Sequence, residues 1–196
     1  MKKDHREVEF DERILQTSCN ELVCPVYTTP LNEFRLKDYC KDNGIVCYLP
    51  LRKAWKVNEY NRGGKAYRQT QVVLRPMFPS YVFVKMAEPQ QMASLRGSHS
   101  IVRFLFPCSQ ESFLNDIRTV RALELAGLGQ ELEFNAGIAE GDRFLIESGI
   151  WAGVTGWLRK KRNRFLWTVE LDFINEFVST SLNPSEFKMS RLGEEE

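Results

Sequence analysis

The sequence lacks the features that announce an enzyme. It has no glycine-rich phosphate loop, no Gly-x-Ser-x-Gly elbow and no cluster of metal ligands. Histidine occurs only as His5 and His99. Cys19, Cys24, Cys40, Cys47 and Cys108 are odd in number, and no pair has Cys-x-x-Cys spacing. They are expected to be small buried hydrophobes in a reducing compartment rather than zinc ligands. Carboxylates such as Glu33, Asp38 and Glu59 are scattered, as on a solvated surface. Long apolar runs are also missing, so no segment is expected to span a bilayer. The charged start, Met1 to Glu12, has no apolar run to serve as a signal peptide. The expectation is a soluble cytoplasmic monomer without catalytic residues, metal or cofactor.

What is present is an ordinary globular balance, 43% hydrophobic and 27% charged over 196 residues. That excludes a disordered or fibrous chain and suits one large domain or two small ones. The net charge of +1 hides an asymmetry. Between Arg52 and Arg75 seven basic side chains (Arg52, Lys53, Lys56, Arg62, Lys65, Arg68 and Arg75) accompany one acid, Glu59. Such a cluster suits a phosphate backbone, because bound Lys and Arg release condensed counterions. It equally suits a solvated hairpin.

Along the chain, residues 1–20 are expected to be a tail. Glu21 to Thr29 predicts a strand limited by Pro25. Thr29-Pro30 predicts the start of a helix that Gly44 ends. Ile45 to Leu51 predicts a second strand. Asn61-Arg62-Gly63-Gly64-Lys65 predicts the tip of a hairpin or long loop. Tyr67 to Leu74, Tyr81 to Lys85 and Ile101 to Phe106 predict further strands, with a short helix after Pro89. Ser109 caps a predicted helix over 110–125, with Phe113, Ile117, Val120 and Leu123 on one face. Residues 127–138, with three glycines, predict a linker. The remainder predicts short strands at 143–146, 156–158, 165–171 and 177–182, the pattern of a small β-barrel.

Two stretches carry a family resemblance. Tyr48-Leu49-Pro50-Leu51 followed by Met77-Phe78-Pro79-Ser80-Tyr81-Val82-Phe83-Val84 resembles the amino-terminal domain of the NusG transcription-factor family. The stretch from Glu140-Gly141-Asp142 through Gly149, Gly153 and Gly156 looks like a KOW motif. Gly149, Gly153 and Gly156 are expected at sharp turns of positive φ. The resemblance covers roughly residues 21–192. It implies an α+β protein: a NusG amino-terminal-type α/β sandwich over 21–126, then a small all-β KOW (SH3-like) barrel over 139–192, with an acidic tail at 193–196. Val23 and Cys24 stand where the family opens its first strand with Trp-Tyr, and Ser80 replaces the usual glycine. These departures, with a longer leading segment, suggest a specialised paralogue similar to RfaH or to regulators of capsule operons.

The resemblance further implies a transcription antitermination or elongation factor. Its amino-terminal domain would dock the clamp helices of the largest subunit of bacterial RNA polymerase through Phe78, Pro79, Tyr81 and Phe83. Because Tyr81 and Phe83 alternate with Val82 and Val84, one pair is expected in the core. Lys53, Lys56, Arg62, Lys65 and Arg68 would lie near upstream or non-template DNA. Tyr67 and Trp55 are candidates for stacking an unpaired base, with packing favoured for Trp55. The KOW domain would meet ribosomal protein S10 or Rho through Ile150, Trp151 and Phe165, while Trp157 and Trp167 are expected in its core. The basic tip Arg159 to Arg164 is a candidate for touching RNA, with a solvated turn favoured. RfaH-like relatives refold this domain into helices, but Val154-Thr155, Thr168-Val169 and Phe177 to Thr180 favour strands here. A general NusG-type factor and a KOW-containing RNA- or ribosome-binding protein are the alternatives.

Overall fold

A computed structural model describes residues 8–87, 90–129, 132–134, 141–162, 164–174 and 176–192. The chain runs β1 (Glu21–Thr28), α1 (Glu33–Asp42), β2 (Cys47–Tyr48), β3 (Leu51–Arg62), β4 (Lys65–Pro76), β5 (Tyr81–Ala87), α2 (Gln90–Arg96), β6 (Ile101–Phe104) and α3 (Gln110–Gly127). It continues with β7 (Leu132–Phe134), β8 (Asp142–Ile146), β9 (Thr155–Lys161), β10 (Arg164–Leu171), β11 (Glu176–Leu182) and β12 (Met189–Arg191). The architecture is mixed α/β, mostly strands with few helices.

Local chemistry explains several boundaries. Ser109 caps α3 by accepting from the Ser112 N–H, at 3.2 Å. Gly44 takes φ +66° just beyond α1. The start of α1 differs from expectation: Asn32, not Thr29, precedes the helix, and its amide donates to Thr29 Oγ1 at 2.9 Å.

The first sheet has the order β2-β5-β1-β6 and is antiparallel. Pro25 was expected to limit β1 but lies within it, opposite Phe83. Its carbonyl accepts from Leu105 on the β6 side, at 2.9 Å. A residue's N–H and C=O point the same way along a strand, so the missing donor faces β6 and no bond to β5 is lost. Both faces of β5 are covered. Val82 and Val84 pack with Leu36 and Cys40 of α1 and Leu95 of α2. Phe83 packs with Phe113, Ile117 and Val120 of α3.

The basic stretch expected as a tip or loop is a full two-stranded ribbon, with β3 and β4 paired from Leu51↔Pro76 to Arg62↔Lys65. Gly63 and Gly64 turn it at φ +59° and +77°. At its base, the Leu51 N–H donates to Glu124 Oε1 at 2.6 Å. Glu124 is fully buried on α3 and also accepts from Tyr48 (2.9 Å) and Arg121 (2.5 Å).

The second sheet has the order β12-β8-β9-β10-β11-β7. β7 and β12 have only three residues each and were not anticipated. β7 lies inside the span expected as a linker; residues 130–131 and 135–138 of that span lie outside the described residues, as does the acidic tail at 193–196. The leading segment also departs from expectation. Ile14 is fully buried, and Phe10 packs edge-on against Tyr48 with centroids 4.9 Å apart. Only residues 1–7 of the expected tail lie outside the described residues.

One apolar cluster runs from β5 through α3 into the second sheet, where Ile146, Trp151, Val154, Trp167, Val169 and Val178 join it. Trp151, expected on the surface, is therefore a core residue, with its ring 6.3 Å from that of Trp167. Trp167 is buried as expected, whereas Trp157 is half-buried against Phe177. Gly149 and Gly153 take φ +75° and +82°, but Gly156 does not have positive φ. Gly156 is instead a close approach: a Cβ there would lie 2.5 Å from the Thr168 carbonyl and 2.9 Å from the Trp167 ring. Gly156→Ala is expected to cost about 2 kcal/mol by overpacking, read as a lower urea midpoint.

Candidate functional site: an aromatic recess and a basic arm

The recess begins at the turn between β4 and β5. Ser80 holds a left-handed φ of +68°, a conformation costly for a side chain other than glycine. Its N–H donates to the buried Glu33 carboxylate at 2.7 Å, and its carbonyl accepts from Thr28 at 2.8 Å. These bonds fix the turn that presents Phe78 and Tyr81. Pro79 is exposed, Tyr81 is half-buried, and Phe78 and Phe83 are buried.

What buries them is the turn between β10 and β11. Phe173 from that turn sits 5.1 Å from Phe83, 5.4 Å from Phe78, 5.9 Å from Phe113 and 6.2 Å from Tyr81, centroid to centroid. All four contacts are edge-on, the favoured geometry for aromatic pairs. Polar bonds pin the turn. The Phe173 N–H donates to Asp116 Oδ2 (3.2 Å), and Ser112 Oγ donates to Asp172 Oδ2 (3.0 Å). A cavity of about 310 Å³ adjoins this seam, lined in part by Pro25, Phe106, Cys108 and Asp116.

The arm carries the basic candidates on two faces. Lys56 and Lys65 lie on one face with Tyr60 and Tyr67; Lys53 and Arg68 lie on the other with Trp55 and Glu59. Arg62 is opposite Lys65 at the tip, and its side chain lies outside the described residues. Lys53 donates to the Leu128 carbonyl at the end of α3, so it anchors the arm. Arg68 pairs with Glu59 at 3.8 Å, in the open. Trp55, expected to pack, is 74% exposed beside a cleft of about 530 Å³ that Gly127, Leu128 and Leu132 also line.

Residues 25–121 match a NusG family model. The matching family model is described as transcription termination factor nusG, and the match covers just under half of the chain. No curated protein matches the chain. The matched segment spans the whole arm, the turn at Ser80 and four of the five recess rings, Phe78, Tyr81, Phe83 and Phe113. Phe173 lies outside it.

Beyond the matched segment, Ile150 in the turn after β8 and Phe165 on β10 are exposed, with Lys160 lying 5.9 Å over the Phe165 ring. They do not share a site with Trp151, which is buried. Among the described residues no group of three or more His, Cys, Asp or Glu could hold a metal. Cys24 and Cys40 are buried; burial pushes the Cys24 thiol up to about 12. No described helix is long and apolar enough to cross a membrane.

Sequence reasoning missed Phe173, Phe113 and Asp116 as parts of the recess. The one available signal was Phe173-Ile174, two apolar residues after Asp172 where a hairpin turn is ordinarily polar.

Burial pushes the Asp116 carboxyl up to about 7; Asp172 and Glu170 add repulsion, while the N–H bond from Phe173 works the other way. An aspartate titrating near 3.9 when unfolded and near 7 when folded binds more protons in the folded state between those values. Its contribution to stability is therefore full below about pH 4 and is lost as the pH rises to about 7. From pH 5 to 7 the wild type is expected to lose about 2 kcal/mol more than Asp116→Asn does, measured by urea denaturation across that range.

Proposed function

We propose that this protein is a transcription antitermination or elongation factor working on selected operons. It docks the clamp helices of the largest RNA polymerase subunit through Phe78, Pro79, Tyr81 and Phe83. The observation that supports this reading best is the recess itself. A rigid ring of edge-packed aromatics accepts one inserted apolar side chain, and a partner helix presents such side chains. In the unbound chain Phe173 fills the recess, so polymerase and the second sheet compete for the same rings.

The remaining assignments follow from this reading. The units are a NusG amino-terminal domain over 21–126 and a KOW (SH3-like) barrel over 139–192. The barrel meets ribosomal protein S10 or Rho through the exposed Ile150 and Phe165. The arm lies along upstream or non-template DNA. A monomer in the cytoplasm suffices for this work.

The test is titration of the protein into bacterial elongation complexes, recording affinity and readthrough of pauses and terminators. The wild type is expected to bind saturably and raise readthrough. Tyr81→Ala is expected to weaken binding about tenfold through loss of an aromatic anchor. Phe173→Ala is expected to tighten it several-fold, because the competing contact is gone. Absence of binding by the wild type and by Phe173→Ala alike overturns the reading in favour of an RNA- or ribosome-binding protein.

A further inference from the structure

The connection between α1 and β2 brings two sulfurs together. Beyond Asp42 the chain reverses at Gly44, and the Ile45 N–H returns to the Cys40 carbonyl at 2.8 Å. β2 therefore starts alongside the helix that the chain has just left. Successive residues of a strand face opposite ways. Tyr48 belongs to the apolar cluster of Phe113 and Ile117, so Cys47 faces α1, against the cluster that holds Leu36 and Cys40. Its Sγ lies 4.0 Å from the Lys37 carbonyl, one turn before Cys40, and the Cys40 thiol is within hydrogen-bonding reach of it.

The two thiols are unlike. Cys40 has no exposure, whereas Cys47 is half-buried. Lys37 faces Cys47 from α1, and Glu9 and Asp11 face it from the leading segment; Glu9 is itself paired with Lys37 at 3.1 Å. Donation from Cys40 and the Lys37 charge outweigh burial and the two acids, which holds the Cys47 thiol below its ordinary pKa. Cys40 moves the other way: donating to Cys47 retains its proton, and burial and the neighbouring charge reinforce that. A partly exposed sulfur beside a cation is the reactive kind, while a fully buried thiol is inert until a partner comes to it.

We infer that Cys40 and Cys47 form an oxidation site: Cys47 attacks a hydroperoxide, and Cys40 then closes a disulfide between α1 and β2. In the first step an S–O bond forms on Cys47 as the peroxide O–O bond breaks. The departing oxygen takes the Cys47 proton and leaves as an alcohol, or as water from hydrogen peroxide, and Cys47 becomes a sulfenic acid. In the second step the Cys40 sulfur attacks the Cys47 sulfur. The S–S bond forms, the S–O bond breaks, and the hydroxyl leaves with the Cys40 proton as water. The two sulfurs together lose two electrons and the peroxide gains them. A dithiol reverses the change by thiol–disulfide exchange.

The test treats the reduced full-length protein with hydrogen peroxide, alkylates the remaining thiols with iodoacetamide in urea and digests with trypsin. Lys41 separates the two cysteines, so peptides 38–41 and 42–52 stay joined only by a disulfide. The joined pair is expected as the main disulfide, and dithiothreitol added before alkylation is expected to abolish it. Cys40→Ser is expected to leave a Cys47 sulfenic acid that dimedone traps. In Cys47→Ser, dimedone labelling of Cys40 is expected to be about tenfold weaker.

Equal labelling of the remaining cysteine in the two variants overturns the order of the steps. Unlinked peptides from the peroxide-treated wild type overturn the inference with no variant needed. So does a link that forms only when the oxidation itself is done in urea, because the native neighbourhood is then not its cause. A main disulfide from either cysteine to Cys19, Cys24 or Cys108 overturns the pairing.

Discussion

Glu124 is a carboxylate with no exposure to solvent, and three separate elements depend on it. It accepts from the Tyr48 hydroxyl in β2, from the Leu51 N–H where the arm starts, and from Arg121 one turn back on α3. Burial pushes its pKa up, and the three donors oppose that push. A charge in this position is tolerated only while its partners are in place; losing one leaves an uncompensated buried ion. The direction in which the arm leaves the domain is thus set from within the core. Lys53, donating to the carbonyl of Leu128, repeats the fastening further along the same helix.

α3 is the element through which the two sheets meet. Its Phe113–Ile117–Val120 face covers Phe83 and β5, as the three-four spacing of apolar residues required. Its other sides are buried too, including Asp116, Thr119 and Glu124. The sequence pattern assigned only Phe113, Ile117, Val120 and Leu123 to a face and made no reading of those polar positions. Asp116 is covered by Phe173, whose N–H reaches it from a turn 57 residues further along the chain, and Glu124 by Tyr48 and Leu51, more than seventy residues before it. The aromatic recess is thereby built from two sources, Phe78, Tyr81, Phe83 and Phe113 from the first sheet and its helix, and Phe173 from a distant turn.

What could be read from sequence was what is decided locally. The Ser109 cap, the Gly44 stop and the Gly63-Gly64 turn each depend on one or two residues and their neighbours. The alternation of Tyr81-Val82-Phe83-Val84 correctly separated two faces, but not that both would be covered. β7 and β12 escaped because three residues carry too little periodicity to register. Trp151 looked exposed because it sits between two glycines, yet the turn they make folds its ring inward onto Trp167. Trp55 erred the other way, since a large apolar ring is ordinarily buried. Of the site, the family segment at residues 25–121 was legible through its turn and strand motifs. The insertion of Phe173 was not, because it is a contact between parts of the chain nearly a hundred residues apart.

The β3–β4 ribbon pairs with no third strand among the described residues. Each of its long edges therefore leaves a row of amides and carbonyls without a strand partner, which in most proteins invites a second copy to add on. Lysine and arginine along both strands make that approach repulsive. The charge excess between Arg52 and Arg75 thus has a second effect, independent of any ligand: it opposes edge-to-edge pairing of the ribbon with a second copy. Neutralising the ribbon wholesale would trade solubility for open edges, which bounds how far its charge can be altered while the chain stays dispersed.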